Sequence, residues 1–177
     1  MAFGKAILLL VVFLIGLAVF KIIDLNSAKK PIVSEEFKSY MESKEYTVTE
    51  VDSELETKVV YWAVNNAEEY KIKVVLCEFL TTEKAEEFYE TKKNQFENES
   101  NDISSSFGWE MKNYSKYHLN KNDEYQYENN DKTVLDEYKI VYRVDNVVMY
   151  SDVNIDNSKI FSSNKDEVEK IFKKFGY

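Results

Sequence analysis

Six residues in the second half of the chain have side chains suited to holding a ligand. Tyrosine rings offer flat, amphipathic surfaces on which sugar rings or peptides can pack, and the sequence contains 13 tyrosines. An arginine beside such rings can stack on them or bind an anion. The predicted ligand surface consists of Tyr125, Tyr127, Tyr138, Tyr142, Arg143 and Tyr150. The alternative interpretation is that these tyrosines pack on half-buried strands, where tyrosine is favoured.

Cysteine and histidine, which often act as nucleophile and base in catalysis, are scarce in this chain. Cys77 is the only cysteine and lies in the apolar run KVVLCEFL, which is typical of a buried strand. His118 is the only histidine and lies between Tyr117 and Leu119 in a predicted strand. A Cys77–His118 pair remains the alternative to two packed side chains. We therefore predict no catalytic residues, no cofactor and no enzymatic activity.

One acidic segment has part of the spacing of a calcium loop. Asp152, Asn154 and Asp156 match the first three ligand positions of an EF-hand. Position six is Asn157 instead of glycine, and position twelve is Ser163 instead of a bidentate glutamate. The segment is therefore predicted to be an exposed strand face without a metal.

The hydrophobic pattern predicts an α+β fold that positions these side chains. Its central feature is an antiparallel sheet of about six or seven strands, packed with two or three helices in a β-α-β4-α core. The predicted elements, in chain order, are a helix capped by Ser34, strands at 46–51, 59–64 and 70–80, a helix capped by Thr81 or Thr82, a polar loop at 97–106, about four strands and a final helix.

Turn signals divide the second half of the chain. The clusters at 121–123 and 129–131 predict turns between short strands, and Asp145-Asn146 predicts a two-residue type I′ hairpin. The final helix is predicted to begin at Asn164, with Glu167 completing a capping box, and to stop at Gly176. The apolar run 74–80 predicts a central strand covered on both faces.

The first 23 residues predict where the protein resides. An unbroken apolar run spans residues 6–20 between Lys5 and Lys21. Residues 2–23 would span about 33 Å as a helix at about 1.5 Å per residue, enough to cross a bilayer. A transmembrane anchor is therefore expected. A cleaved signal peptide and a buried core helix are the alternatives.

These segments divide the chain into three parts. Residues 1–23 are the transmembrane anchor or signal segment, 24–33 a polar tether, and 34–177 a single extracytoplasmic α+β domain. Lysines near both ends of the apolar run do not favour an outward orientation. An N-terminal apolar segment nevertheless usually directs export, so we expect a single-pass protein of the cell membrane with its domain outside. Secretion after signal cleavage is the alternative.

The charge limits the partners. A net charge of −9 repels phosphate backbones, so nucleic acid is not expected as a partner. We expect a non-catalytic binding or interaction module attached to the membrane through its N-terminal helix, with an envelope protein or glycan as partner. The alternatives are a cell-envelope hydrolase that uses paired carboxylates, and an accessory subunit of a membrane complex.

The end of the chain resembles a group of exported bacterial proteins. The segment from Tyr138 to Asn146 contains Arg143 and Asp145 before a hairpin, and the last helix closes on Phe175-Gly176-Tyr177. This arrangement resembles uncharacterised exported proteins and lipoproteins of Gram-positive, Clostridia-like bacteria. The resemblance implies export and brings no activity with it. The chain differs from the lipoprotein members because no cysteine directly follows its apolar run.

Overall fold

The computed structural model describes residues 28–53, 56–65, 71–99, 103–111, 113–126, 132–155 and 158–177. Within these ranges the chain forms three helices and seven strands, which confirms the predicted α+β class and the β-α-β4-α core. The elements are α1 (Ser34–Ser43), β1 (Tyr46–Glu50), β2 (Thr57–Asn65), β3 (Lys73–Phe79), α2 (Thr82–Asn98), β4 (Ile103–Glu110), β5 (Tyr114–Gln126), β6 (Lys132–Val144), β7 (Val147–Ile155) and α3 (Ser158–Lys174).

All seven strands belong to one antiparallel sheet. Its order is β1-β2-β3-β7-β6-β5-β4, so β1 and β4 are the edges. The N-terminal strands β1 to β3 join the later four through β3 and β7, where Leu76 lies opposite Met149. The long strands β5 and β6 pair from Tyr114 and Val144 to Gln126 and Lys132.

Helices cover both faces of this sheet, because apolar residues alternate along its central strands. Val74 and Leu76 of β3 pack with α1 and α3 on one side, which we call the α1/α3 face. Val75 and Cys77 pack with α2 on the other side, the α2 face. The prediction that β3 is covered on both faces is therefore confirmed.

The β6–β7 hairpin has the predicted two-residue turn, with Val144 opposite Val147. Asp145 has a φ of 49°, whereas Asn146 has no positive φ. A type I′ turn needs a positive φ at both central residues, so the predicted type I′ turn is wrong. Asn146 bonds instead to the end of β3, since its Nδ2 donates to the Phe79 carbonyl at 2.8 Å.

The helix ends differ partly from those predicted. Val33, not Ser34, occupies the N-cap position of α1, and it makes no side-chain cap bond. The Ser34 hydroxyl donates instead to the Glu78 carboxylate at 2.6 Å. Thr81 caps α2 through a bond to the Lys84 amide, as predicted. Helix α3 begins before Asn164, at Ser158, because the buried Phe161 extends its apolar stripe by two turns.

Two predicted irregular segments are largely regular. The predicted bounds of the polar loop 97–106 are wrong at both ends, because α2 continues to Asn98 and β4 begins at Ile103. The turn predicted at 121–123 is also wrong, since these residues continue β5 in register with β6. Backbone pairing with a neighbouring strand stabilises such polar segments without an apolar sequence pattern. The cluster at 129–131 lies outside the described residues.

The predicted anchor, residues 1–23, also lies outside the described residues. No helix among the residues that the structure describes is both long and apolar enough to cross a membrane.

The last part of the predicted tether packs on the domain. Ile32 is 6% exposed and belongs to the core of the α1/α3 face. The Lys29 amide donates to Asn113 Oδ1 at 3.3 Å, and Asn113 Nδ2 donates to the Lys29 carbonyl at 2.8 Å. These reciprocal bonds fix the entry of the chain beside the β4–β5 turn.

Candidate functional site

Two of the predicted ligand-binding tyrosines are core residues. Tyr138 and Tyr142 are 1% and 0% exposed and lie beneath α3 on the α1/α3 face. The Tyr142 hydroxyl donates to the Gly176 carbonyl at 2.9 Å, so its polar end is occupied as well. Neither ring is available to a ligand in the folded domain.

Arg143 and Tyr150 lie on the opposite, α2 face. Arg143 is 3% exposed, donates to Ser115 Oγ at 3.1 Å, and lies 3.4 Å from a Glu86 carboxylate oxygen. Tyr150 packs against the Phe88 ring, and burial raises its pKa to about 12. Both side chains therefore hold α2 onto the sheet.

The six predicted residues do not gather at one surface. Adjacent strand residues point to opposite faces, so Tyr142 and Arg143 are separated by the sheet. Tyr125 pairs with Thr133 toward the far end of β5 and β6, and Tyr127 lies outside the described residues. The single tyrosine platform expected from composition is wrong for the four residues whose side chains are described.

Cys77 and His118 are also on opposite faces. Cys77 is buried under α2, and burial raises the pKa of its thiol to about 12. The His118 ring packs against Tyr138 on the α1/α3 face, and its Nδ1 shares a hydrogen bond with the Tyr177 hydroxyl. The sheet between them excludes a Cys77–His118 pair.

Three acids of the α2 side meet around one lysine. Lys139 is 4% exposed, and its Nζ lies 2.8 Å from Glu99, 3.6 Å from Glu137 and 3.8 Å from Asp152. Burial opposes the charge of Lys139, but the bond to Glu99 and the attraction of Asp152 and Glu137 raise its pKa overall. The arrangement compensates charge, since the ammonium group of Lys139 lies between the three carboxylates.

The segment with partial calcium-loop spacing, Asp152 to Asp156, begins on β7. Asp152 contacts Lys139, while Asp156 lies outside the described residues. Among the residues with described positions, no three histidine, cysteine or acidic side chains converge in a way that could hold a metal ion.

The concave surface with the clearest binding chemistry is a groove between α1 and α3. Near the start of α1 its volume is about 570 Å³, and toward the start of α3 a second cavity of about 280 Å³ follows. Tyr40 borders both cavities, so we treat them as one feature, the α1/α3 groove. Its lining comprises Glu35, Glu36, Ser39, Tyr40, Lys44, Ser163, Glu167, Lys170, Ile171, Lys174 and Phe175.

Tyr40 is the centre of the groove. Its ring meets Phe175 edge to face, with centroids 5.4 Å apart and planes at 88°. Lys44 and Lys174 lie above the same ring, with their Nζ atoms 5.9 and 6.0 Å from its centroid. An aromatic surface flanked by lysines is suited to packing against a sugar ring or an apolar side chain of a peptide.

Buried tyrosines fix the acidic side chains along the groove. The Tyr46 hydroxyl donates to Glu167 at 2.7 Å, and the Tyr61 hydroxyl donates to Glu35 at 3.3 Å. Burial and the neighbouring carboxylate raise the pKa of each tyrosine, so both stay neutral donors. The carboxylates are therefore oriented from below and can accept bonds from hydroxyl or amine groups of a ligand.

This groove is not evident from the sequence. There, Tyr40 belongs with Phe37 and Met41 to the apolar stripe of α1, a pattern that indicates packing alone. Phe175 lies 135 residues later, and only the sheet beneath the two helices brings them together. No local sequence signal encodes such a contact.

No protein family, curated protein or solved structure matches this chain.

Proposed function

We propose that this protein is a membrane-anchored, outward-facing module that binds an envelope component in the α1/α3 groove and catalyses no reaction. The supporting observation is the lining of the groove. Tyr40 supplies an aromatic surface, and Glu35 and Glu167 are oriented as acceptors by buried tyrosines. These are the features of a site that fixes the orientation of a ligand.

The proposal of an anchor and of an outward-facing domain is based on the first 23 residues. The apolar run 6–20, bounded by Lys5 and Lys21, would hold the chain in the membrane. The resemblance of the last 40 residues to exported proteins of Gram-positive bacteria points to the same side of the membrane. An envelope glycan or an envelope protein is the partner class that this location would offer.

The alternative of a carboxylate hydrolase has less support. Such an enzyme needs two carboxyl groups facing one another across a cleft. The acids that meet on the α2 side are Glu99, Glu137 and Asp152, and Lys139 lies between them. The alternative of an accessory subunit stays a prediction. It requires the apolar run to pack against another membrane helix, and only Gly16 and Ala18 in the interior of the run are small residues suited to such packing.

A photo-crosslinking experiment tests the groove. A benzophenone amino acid would replace Tyr40 in the full chain, and the control would carry it at the exposed Glu87 of α2. After irradiation of intact cells, a discrete crosslinked species is expected from position 40 and none from position 87. The same products from both positions, or none from either, would contradict a binding role for the groove.

A further inference from the structure

Two large aromatic side chains are exposed on the edge strand β4. Phe107 is 46% exposed and Trp109 is 37% exposed. Phe107 lies opposite His118 and Trp109 opposite Lys116. Since cross-strand partners share a face, both aromatic residues lie on the α1/α3 face. We call Phe107, Trp109 and Lys116 the β4 patch.

The chemistry of the β4 patch is that of a membrane–water interface. The Lys116 Nζ lies 5.8 Å from the centroid of the Phe107 ring and 4.7 Å from that of Tyr177. Tryptophan favours the headgroup level of a bilayer, and lysine can lay its apolar stem along a hydrophobic surface while its ammonium group stays in water. Phe107 and Trp109 lie on β4, which has one neighbour among the described strands, and Lys116 lies on that neighbour, β5.

The chain enters the described domain close to this patch. Lys29 is held by its two backbone bonds to Asn113 in the β4–β5 turn. Trp109 lies opposite Lys116, which is three residues beyond Asn113 on β5. At about 3.3 Å per residue, Trp109 is therefore about 10 Å along the strand from the entry point. Burial, and then the positive charge of Lys29, lower the pKa of Lys116, which is consistent with this proximity.

The link between the predicted anchor and the domain is short. Five Cα–Cα steps separate Ile23 from Ala28, and these steps span at most about 18 Å when fully extended. An anchor that ends at Ile23 therefore keeps the β4–β5 turn close to the bilayer surface. The net charge of −9 disfavours a general attraction to anionic lipids, so a contact there would be local and largely apolar.

We propose that the β4 patch docks on the lipid bilayer, with Phe107 and Trp109 in its interfacial layer. This inference rests on the proposed function, because it requires the N-terminal anchor. Docking would also shield the outer edge of β4, which pairs with no other described strand and could otherwise add a strand from another chain. The domain would then have a fixed orientation, with the sheet edge at β4 toward the membrane and the edge at β1 away from it.

The two tryptophans allow a matched test. Trp62 is 39% exposed, close to the 37% of Trp109, but lies on the α2 side of β2, beside Lys73. The Trp62→Phe variant reports on Trp109 alone, and the Trp109→Phe variant reports on Trp62 alone. Each full chain is reconstituted into vesicles of phosphatidylcholine with brominated acyl chains, which quench only tryptophans that contact lipid.

The inference predicts that Trp109 is quenched several-fold more strongly than Trp62 in vesicles that carry the protein on flotation. Equal quenching, or no quenching of Trp109, in such vesicles would overturn the docking while the anchor stands. Shielding of Trp109 from aqueous iodide without quenching by the brominated lipid would assign the patch to a protein contact and also overturn it. A chain that fails to float with vesicles would refute the anchor, and the docking with it.

Discussion

At the scale of the residue, the only histidine makes stability depend on pH. Burial, followed by repulsion from Lys165 and Lys116, lowers the pKa of His118 below its ordinary value of 6.5, and the attraction of Glu169 offsets this only in part. The unfolded chain therefore binds the proton more readily than the folded one. The stability that the neutral His118 contributes is present above pH 6.5 and is lost as the pH falls below that value.

We expect the free energy of unfolding to fall between pH 7.5 and 5.5 by up to about 1.4 kcal/mol per pH unit from this group. In His118→Asn this slope should disappear. The window is separate from that of Glu78, whose pKa is held below its ordinary value of 4.5 chiefly by the Ser34 hydroxyl, so its contribution is lost only in more acidic solution. Urea titrations of the original chain and of His118→Asn at several pH values measure this slope in each protein. Equal slopes would rule out His118 as the cause.

Lys139 gives a second prediction at the same scale. Replacement by methionine keeps most of the volume but removes the ammonium group that lies 3.6 Å from the buried Glu137, which is 8% exposed. We expect Lys139→Met to destabilise the domain by about 3 kcal/mol, the lower part of the range for a broken buried pair, because Glu99 and Asp152 keep contact with water.

The matched control for Lys139 is Lys173, whose pair with Glu169 is exposed on α3. Lys173→Met should cost less than about 0.5 kcal/mol. Denaturant unfolding of both variants measures the difference. Similar losses in the two variants would mean that the cluster around Lys139 is no more than a surface ion pair.

At the scale of the element, the end of α3 depends on one glycine. Gly176 has a φ of 91°, and the Tyr177 amide donates to the Phe172 carbonyl at 3.1 Å across this turn. A Cβ at position 176 would meet only the Tyr142 hydroxyl, at an ordinary 3.6 Å. The cost of Gly176→Ala therefore arises from the backbone, and we expect about 1 kcal/mol.

Gly176→Asn separates this backbone effect from a steric one. Asparagine tolerates the left-handed region better than alanine, so it should lose less stability although its side chain is larger. Thermal unfolding of the two variants gives the comparison. A greater loss for asparagine would show that space beside Tyr142, and not the positive φ, decides the cost.

The elements also show what the sequence could and could not predict. Strand β3, the β6–β7 hairpin and the cap of α2 depend on patterns within about ten residues, and all three form, although the hairpin does not have the predicted turn type. The first residues of β4 were assigned to the loop 97–106, because the register of this polar segment comes from pairing with β5 and not from its own sequence.

The tyrosines were misplaced for a related reason. Alternation along β6 assigns Tyr142 and Arg143 to different faces, but it does not say which face stays open. A sheet that is covered on both sides leaves neither open, and that depends on where α2 and α3 pack. The candidate groove between two sequence-distant helices could not be predicted from either helix alone.

At the scale of the whole molecule, two surfaces of the domain have proposed roles. The chain enters the domain at Lys29, which bonds to Asn113 beside the β4 patch, while α1 and α3 form the groove. An anchor in residues 1–23 would hold the first feature near the bilayer and leave the second accessible to envelope components. This division of surfaces depends on the anchor being kept and on the domain lying outside.

Intact-protein mass spectrometry, combined with protease treatment of whole cells, tests this claim most directly. The account predicts a membrane-bound chain that retains residues 1–23 and loses its domain to protease added outside the cells. Mature protein that begins after Phe20 and accumulates in the medium would contradict the anchor. A membrane-bound domain that stays intact in protease-treated cells, and is digested only after lysis, would contradict the orientation.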